Sequence, residues 1–281
     1  MTVRVVTDST ADIPLEQAEA AGITIVPLTV FFGDDAYLDN VELDNAGFYK
    51  KLQESKTLPR TSQPSPAVFQ AAYTRLIQEG ATGILSIHLS SKLSGTYQSA
   101  CTARDTLADE LKTVPIETVD SQSISAGMAH AIMQAAQKAR EGAELEEIKA
   151  YVLNEQERSR ILAVLDTLEY VKRGGRIGAA RALLGNMLSV KPIISLKDGE
   201  VVPIEQPRTR NKAYARIGQL VSEMGPLEYI AIAESNDEVG SQLTGALKAI
   251  TDQEIPRYKL GAVLGAHTGP GTVAVCVVTR S

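Results

Sequence analysis

The first thirty residues constrain the fold more than anything after them. Val3-Arg4-Val5-Val6-Thr7 is a short β-branched run ended by Asp8-Ser9-Thr10, and a polar, Ala-rich stretch after Pro14 stops at Gly22. Residues 23–30 are a second apolar, β-branched run. Strand, helix and strand in so short a space make a β-α-β unit, so the sheet they begin is expected to be largely parallel with flanking helices.

The same alternation continues. Residues 43–54 and 65–79 read as helices, the second with Ser65 as N-cap and Pro66 at its first position. Residues 83–88 read as a buried strand, 94–111 as a helix, 116–119 as a strand, and 123–141 and 145–157 as helices. The second half differs. A strand at 161–165 precedes a short helix at 167–173, stopped by Gly174-Gly175. Two strands, 192–196 and 201–204, flank Asp198-Gly199, a hairpin signal. Helices at 211–224 and 238–250, a strand at 229–233 and closing strands at 261–265 and 272–278 complete the chain. The expected fold is α/β in two domains. Residues 1–157 would carry a mostly parallel sheet with flanking helices and residues 158–281 a mixed sheet, and 281 residues suffice for two cores of ordinary size.

The net charge of -6 and the lack of a basic run argue against nucleic acid and against an anionic membrane surface. Cys101 and Cys276, the two cysteines, match neither a disulfide framework nor a zinc spacing. No apolar run approaches the ~20 residues needed to span a bilayer. The first residues read as a strand rather than a signal peptide. A cytoplasmic protein without stable membrane insertion is expected.

Four segments stand where a ligand crevice would lie. Asp8-Ser9-Thr10-Ala11-Asp12 follows the first strand, and such loops line the binding crevice of a parallel sheet, although a plain helix cap would look the same. Arg60-Thr61-Ser62-Gln63-Pro64-Ser65-Pro66 places hydroxyls before a helix start, suited to a carboxylate or phosphate or simply to an ordered cap. In Ser90-Ser91-Lys92-Leu93-Ser94-Gly95-Thr96-Tyr97, Ser94 reads as an N-cap poised for an anion, and Gly95 lets a ligand approach the backbone. Gly265-Ala266-His267-Thr268-Gly269-Pro270-Gly271 frames a histidine that could donate to a carboxylate, while His88 and His130 read as packed or surface residues. Residues 269–274 fit a loose Gly-x-Gly-x-x-Ala pattern, but a strand follows instead of a helix, so a dinucleotide site is not expected. Gly174-Gly175-Arg176-Ile177-Gly178 lacks the Lys-Ser/Thr of a phosphate-binding loop. No metal spacing and no cofactor site are evident.

Taken in order, these segments resemble the DegV family of bacterial fatty-acid-binding proteins, which includes the binding subunits of fatty acid kinase. The likeness also runs through Asp120-Ser121, Leu168-Glu169-Tyr170-Val171-Lys172-Arg173-Gly174-Gly175-Arg176-Ile177 and Lys191-Pro192-Ile193. It implies an EDD/DegV-like fold of two α/β domains and a non-catalytic protein whose ligand is one long-chain fatty acid. The carboxylate would be held by Thr61, with Ser62 nearby, and by Ser94 with Gly95 and His267. Asp8, Ser9, Thr10 and Thr268 would support that site. The resemblance further implies a kinase partner that phosphorylates the bound carboxylate, and Arg173, Arg176, Arg208 and Arg210 could form its docking surface. Two other readings stay open. One is a serine-dependent acyl hydrolase using Ser94, His267 and Asp8, for which no Gly-x-Ser-x-Gly elbow is present. The other is an interaction module docking through the same arginines.

Overall fold

The computed structural model describes residues 2–186 and 190–280. In chain order the first half holds β1 (Val3–Asp8), α1 (Leu15–Ala21), β2 (Ile23–Val26), β3 (Thr29–Phe32), β4 (Asp35–Leu38) and α2 (Asn45–Glu54). It continues with β5 (Arg60–Ser62), α3 (Pro66–Gln78), β6 (Gly83–His88), α4 (Thr96–Asp105), β7 (Ile116–Asp120), α5 (Ala126–Arg140) and α6 (Leu145–Arg158). The second half begins with β8 (Ser159–Val164), α7 (Glu169–Arg173), β9 (Ile193–Lys197), β10 (Glu200–Glu205) and α8 (Arg210–Glu223). It ends with β11 (Leu227–Glu234), α9 (Asp237–Leu247), β12 (Arg257–Lys259), α10 (Ala262–Thr268) and β13 (Val273–Thr279).

The opening β-α-β unit has the predicted consequence. Strands run β2-β1-β6-β7 in one sheet, with every pair parallel. The second sheet runs β10-β9-β8-β13-β11-β12 and is antiparallel except for β11 with β12, so the α/β class with one parallel and one mixed sheet is what the chain adopts. Asp198 and Gly199 both take positive φ, 51° and 79°, as a tight β9–β10 turn requires.

Residues 23–30 are not one strand. Pro27 has no N–H for a ladder, and the chain leaves the parallel sheet there. Thr29 onward enters a separate antiparallel sheet, β4-β3-β5, whose outer strands are short and partly polar and give little sequence signal. Residues 261–265 are not a strand either, because they begin α10. Two carboxylates from the first half take its first N–H groups: Asp12 Oδ1 accepts from Gly261 at 2.8 Å and Asp39 Oδ1 from Ala262 at 2.7 Å. Helix starts leave such donors unpaired, and here the partners come from over two hundred residues away.

Helix α5 lies between the two large sheets, touching β1 on one side and β8, β11 and β13 on the other. Its buried face is mostly alanine, including Ala126, Ala129, Ala135 and Ala136, which lets the layers approach closely. One continuous core therefore includes Val5, Leu85 and Ile132 together with Ile161, Ala233 and Cys276. A smaller core packs Val30, Phe32 and Phe48 against Ala262, Val263 and Ala266 of α10.

Candidate functional site

In the parallel sheet the chain turns to opposite sides after β1 and β6, and a ligand crevice is expected beyond those strand ends. The loops there are 9–12 and 89–95. Facing them is the mixed sheet, where Ile161 and Ala163 of β8 and then Leu165 are exposed to a narrow cavity of about 100 Å³. Ile194 and Leu196 of β9 line the same space, and Leu28 and Leu89 close it from the first half. The lining is mostly aliphatic; Thr61, Gln63, Ser94, Arg176, His267 and Thr268 supply most of its polar groups, and Ser195 of β9 adds a hydroxyl that donates to Ile161 C=O at 2.6 Å.

Thr61 is on β5, paired with Val30 of β3, and its hydroxyl lies 2.8 Å from His267 Nε2. Ser62, the next residue along the strand, is exposed and outside the cavity, as strand alternation dictates. Ser94 stands one residue before the N-cap of α4, which is Gly95 rather than Ser94 itself. Its Oγ accepts the Thr96 N–H at 3.3 Å and lies 2.9 Å from the Thr96 hydroxyl. A Cβ on Gly95 would stand 2.5 Å from Gln63 Nε2, so the glycine lets that amide reach the site.

His267 belongs to the last turn of α10, not to an open glycine loop. Burial, with Arg176 nearby, lowers its pKa to about 4, so the imidazole is neutral at ordinary pH. Its Nδ1 is buried without a hydrogen-bond partner. In the tautomer with its proton on Nε2, the imidazole donates to Thr61. The Thr61 hydroxyl is then free to donate onward to an anion. Thr268 lines the cavity, although its own hydroxyl donates to Leu264 C=O at 2.9 Å.

Asp8, Ser9 and Thr10 are buried beneath the site and do not line it. Asp8 Oδ2 accepts the Leu89 N–H at 3.0 Å, and Ser9 Oγ accepts the Leu28 N–H at 3.1 Å. They brace two cavity walls. Asp8 also meets His88 Nδ1 at 3.0 Å, whose Nε2 lies 2.7 Å from Ser86 Oγ. This Asp-His-Ser chain is fully buried, so it is a packed structural network rather than a hydrolytic site. Among the described residues no base is assembled around Ser94: His267 bonds Thr61, and no carboxylate orients its Nδ1.

The four arginines do not form one patch. Arg176 is at the cavity mouth, its Nε donating to Leu93 C=O at 3.0 Å. Arg173 is exposed and pairs with Glu169, and Arg208 is exposed. Arg210 is held internally by Asp166 and by the Gly271 carbonyl. Gln63 lies within the hydroxyl-rich segment 60–66 but has no distinguishing sequence signal of its own, and the aliphatic walls come from strands distant in the chain and carry no local signature. Among the described residues no His/Cys/Asp/Glu group could hold a metal, and no helix is long and apolar enough to cross a membrane.

A mostly aliphatic cavity with hydroxyl, amide and imidazole groups in its lining, between a parallel and a mixed sheet, has the chemistry to take a ligand with an apolar body and a small polar head. The DegV family model, described as "Uncharacterised protein, DegV family", matches residues 2–280, and the chain belongs to that family. Protein DegV of Bacillus subtilis is 35% identical over 98% of this chain and 99% of its own. A DegV domain-containing protein of Halalkalibacterium halodurans is 34% identical over 97% of both chains. A fatty-acid-binding DegV family protein from Thermus thermophilus superposes with TM-score 0.90 at 34% identity over the whole of both chains. The Bacillus subtilis DegV structure, a fatty acid binding protein, superposes with TM-score 0.89 at 32% identity over the whole of both chains.

Proposed function

We propose that this chain binds one long-chain fatty acid, with its tail along β8 and β9 and its carboxylate at Thr61 and Ser94. The observation that carries the reading is the polarity of the cavity, mostly aliphatic, with Thr61, Gln63, Ser94 and His267 on one side of it and Ser195, whose hydroxyl is already spent on the Ile161 C=O at 2.6 Å, as the polar residue beside Ile161. Relatives with fatty-acid-binding structures at 34% and 32% identity support it. Burial at ~0.8 kcal/mol per methylene gives a sixteen-carbon acid roughly 11 kcal/mol of gross driving force, enough for tight binding after ordering costs. Neutral hydroxyls hold the carboxylate without a tight ion pair, and Arg176 at the mouth supplies a favourable field. A carboxylate so held stays open to a phosphoryl donor. The chain therefore acts as the non-catalytic carrier that presents it, in the cytoplasm, to a separate kinase for acyl-phosphate formation.

Native mass spectrometry of the purified protein, followed by denaturing extraction, tests the binding. A co-purifying C14–C18 acid is expected, lost in the Thr61→Ala/Ser94→Ala double variant. Protein that neither retains nor takes up fatty acid would sink the reading.

A further inference from the structure

The mixed sheet meets the first half of the chain at both of its edges, and the two joints are unequal. Just past β12, at one edge, Asp12 and Asp39 take the first N–H groups of α10, and Asn45 Nδ2 donates to Leu260 C=O at 2.6 Å. Val30 and Phe48 pack against α10 there, so this joint has a core as well as bonds. At the other edge the β9–β10 hairpin reaches the loop after β6. Among the described residues, the hydrogen bonds that tie this loop to the second half are Ser90 Oγ to Gly199 C=O at 2.7 Å and Arg176 Nε to Leu93 C=O at 3.0 Å. Arg176 is exposed, so water competes for its bond.

The Ser90 bond is of another kind. A hairpin tip normally stands in solvent, yet Gly199 is buried between exposed Asp198 and Glu200, and Ser90 is buried beneath it. A Cβ on Gly199 would stand 2.4 Å from Ser90 Oγ and 3.4 Å from Ser90 Cβ. Ser90 is fixed to its own half, its N–H donating to Ser123 C=O at 3.0 Å, and its hydroxyl also accepts the Lys92 N–H at 3.2 Å. It does not line the cavity, but the residues on either side of its bond do: Leu89, Leu93 and Ser94 from the loop, Ile194, Leu196 and Val201 from the hairpin. Parting Ser90 from Gly199 parts those two walls.

We propose that Ser90 is a positioning residue, a latch that holds the β9–β10 hairpin closed over the cavity, and that the fatty acid enters and leaves along this seam while the joint at α10 stays shut. The inference rests on the fatty-acid reading and adds a route to it. Stopped-flow measurements with a fluorescent fatty acid read association and release separately. Ser90→Ala should speed both about fivefold, the worth of one hydrogen bond, and leave Kd within about twofold. Faster release alone, with weaker binding, would make Ser90 a mere structural prop and overturn the proposal, as would unchanged rates. A reversible lock gives a second test. The 3.4 Å between Ser90 Cβ and a Cβ at 199 is close to the roughly 3.5–4.5 Å that a disulfide bridges, and Cys101 and Cys276 are both buried. Ser90→Cys/Gly199→Cys, oxidised and confirmed by mass, should exchange fatty acid at least tenfold more slowly than after reduction. Strain from a side chain at a φ of 79° is common to both states. Equal exchange in the two states would overturn the proposal, because the ligand would then pass elsewhere. Wild type that takes up no fatty acid would instead overturn the reading on which the latch rests.

Discussion

Thr61 and His267 lie 206 positions apart in the chain, yet their polar atoms are 2.8 Å apart. What holds them there is a set of buried acids that never touch the cavity. Asp12 and Asp39 anchor the start of the short helix whose last turn carries His267. That anchoring is strained electrically. Burial is the main cause that raises the Asp12 carboxyl well above its usual range and Asp39 to about 6. A carboxyl whose folded pKa is raised binds more protons folded than unfolded, so its contribution to stability is present at low pH. It is lost as pH rises from about 4 to 6, at an order-of-magnitude cost of about 3 kcal/mol by pH 7. Asp39→Asn removes that charge and keeps the Oδ1 acceptor. The melting temperature of this variant relative to wild type should be higher at pH 7.5 than at pH 5. An offset independent of pH would contradict the assignment. His267 has the opposite linkage, since its depressed pKa contributes stability above the unfolded value that is lost as pH falls from about 6.5 towards 4. Its imidazole resonances should stay in the neutral form at pH 5.5, whereas half-titration near pH 6.5 would exclude the burial described.

At the scale of elements, the site is a meeting of short pieces rather than the product of one motif. Strand β5 is three residues long and α10 seven, and neither would be stable alone. The turn after α7 completes the arrangement by letting the imidazole lie against a backbone without a side chain. A Cβ at Gly174 would stand 2.2 Å from His267 Nδ1. Gly174→Ala should therefore displace the ring and weaken fatty-acid binding about tenfold, with a smaller loss of stability of about 1 kcal/mol. Isothermal titration beside a thermal melt separates the two effects, and an unchanged affinity would show that the ring position does not matter.

For the whole molecule, the expected division at residue 157 separates the strands of the two large sheets but not their packing. The main core runs through α5 from Leu85 to Cys276, and α10 of the second half is packed under the small sheet of the first. We propose that residues 1–157 and 158–281 are two units of architecture that fold as one. Calorimetry of the full chain should give a single unfolding transition. A separately expressed 1–157 fragment should lack cooperative melting, because its α5 face would be bare. Two resolved transitions would instead make the halves independent domains.

Much of this protein is legible along the chain. Local periodicity, caps and glycine stops locate most helices and strands, the β-α-β opening dictates a parallel sheet, and Asp198-Gly199 dictates a hairpin. The family segments bring Thr61, Ser94, Gly95 and His267 to notice. What only the tertiary structure decides is which of these act together. The helix at 262–268 has its first N–H groups taken by distant carboxylates, and Ser62 turns away because β5 pairs with β3. Asp8 and Ser9 become braces behind the cavity, and Arg210 becomes an internal ion-pair partner. The aliphatic walls, drawn from β8, β9 and the loops after β2 and β6, look in sequence like any core residues. The physical reason is range: helix and turn hydrogen bonds and side-chain period act within a few residues, whereas burial, electrostatics and side-chain hydrogen bonds act between whatever surfaces the packed sheets bring face to face.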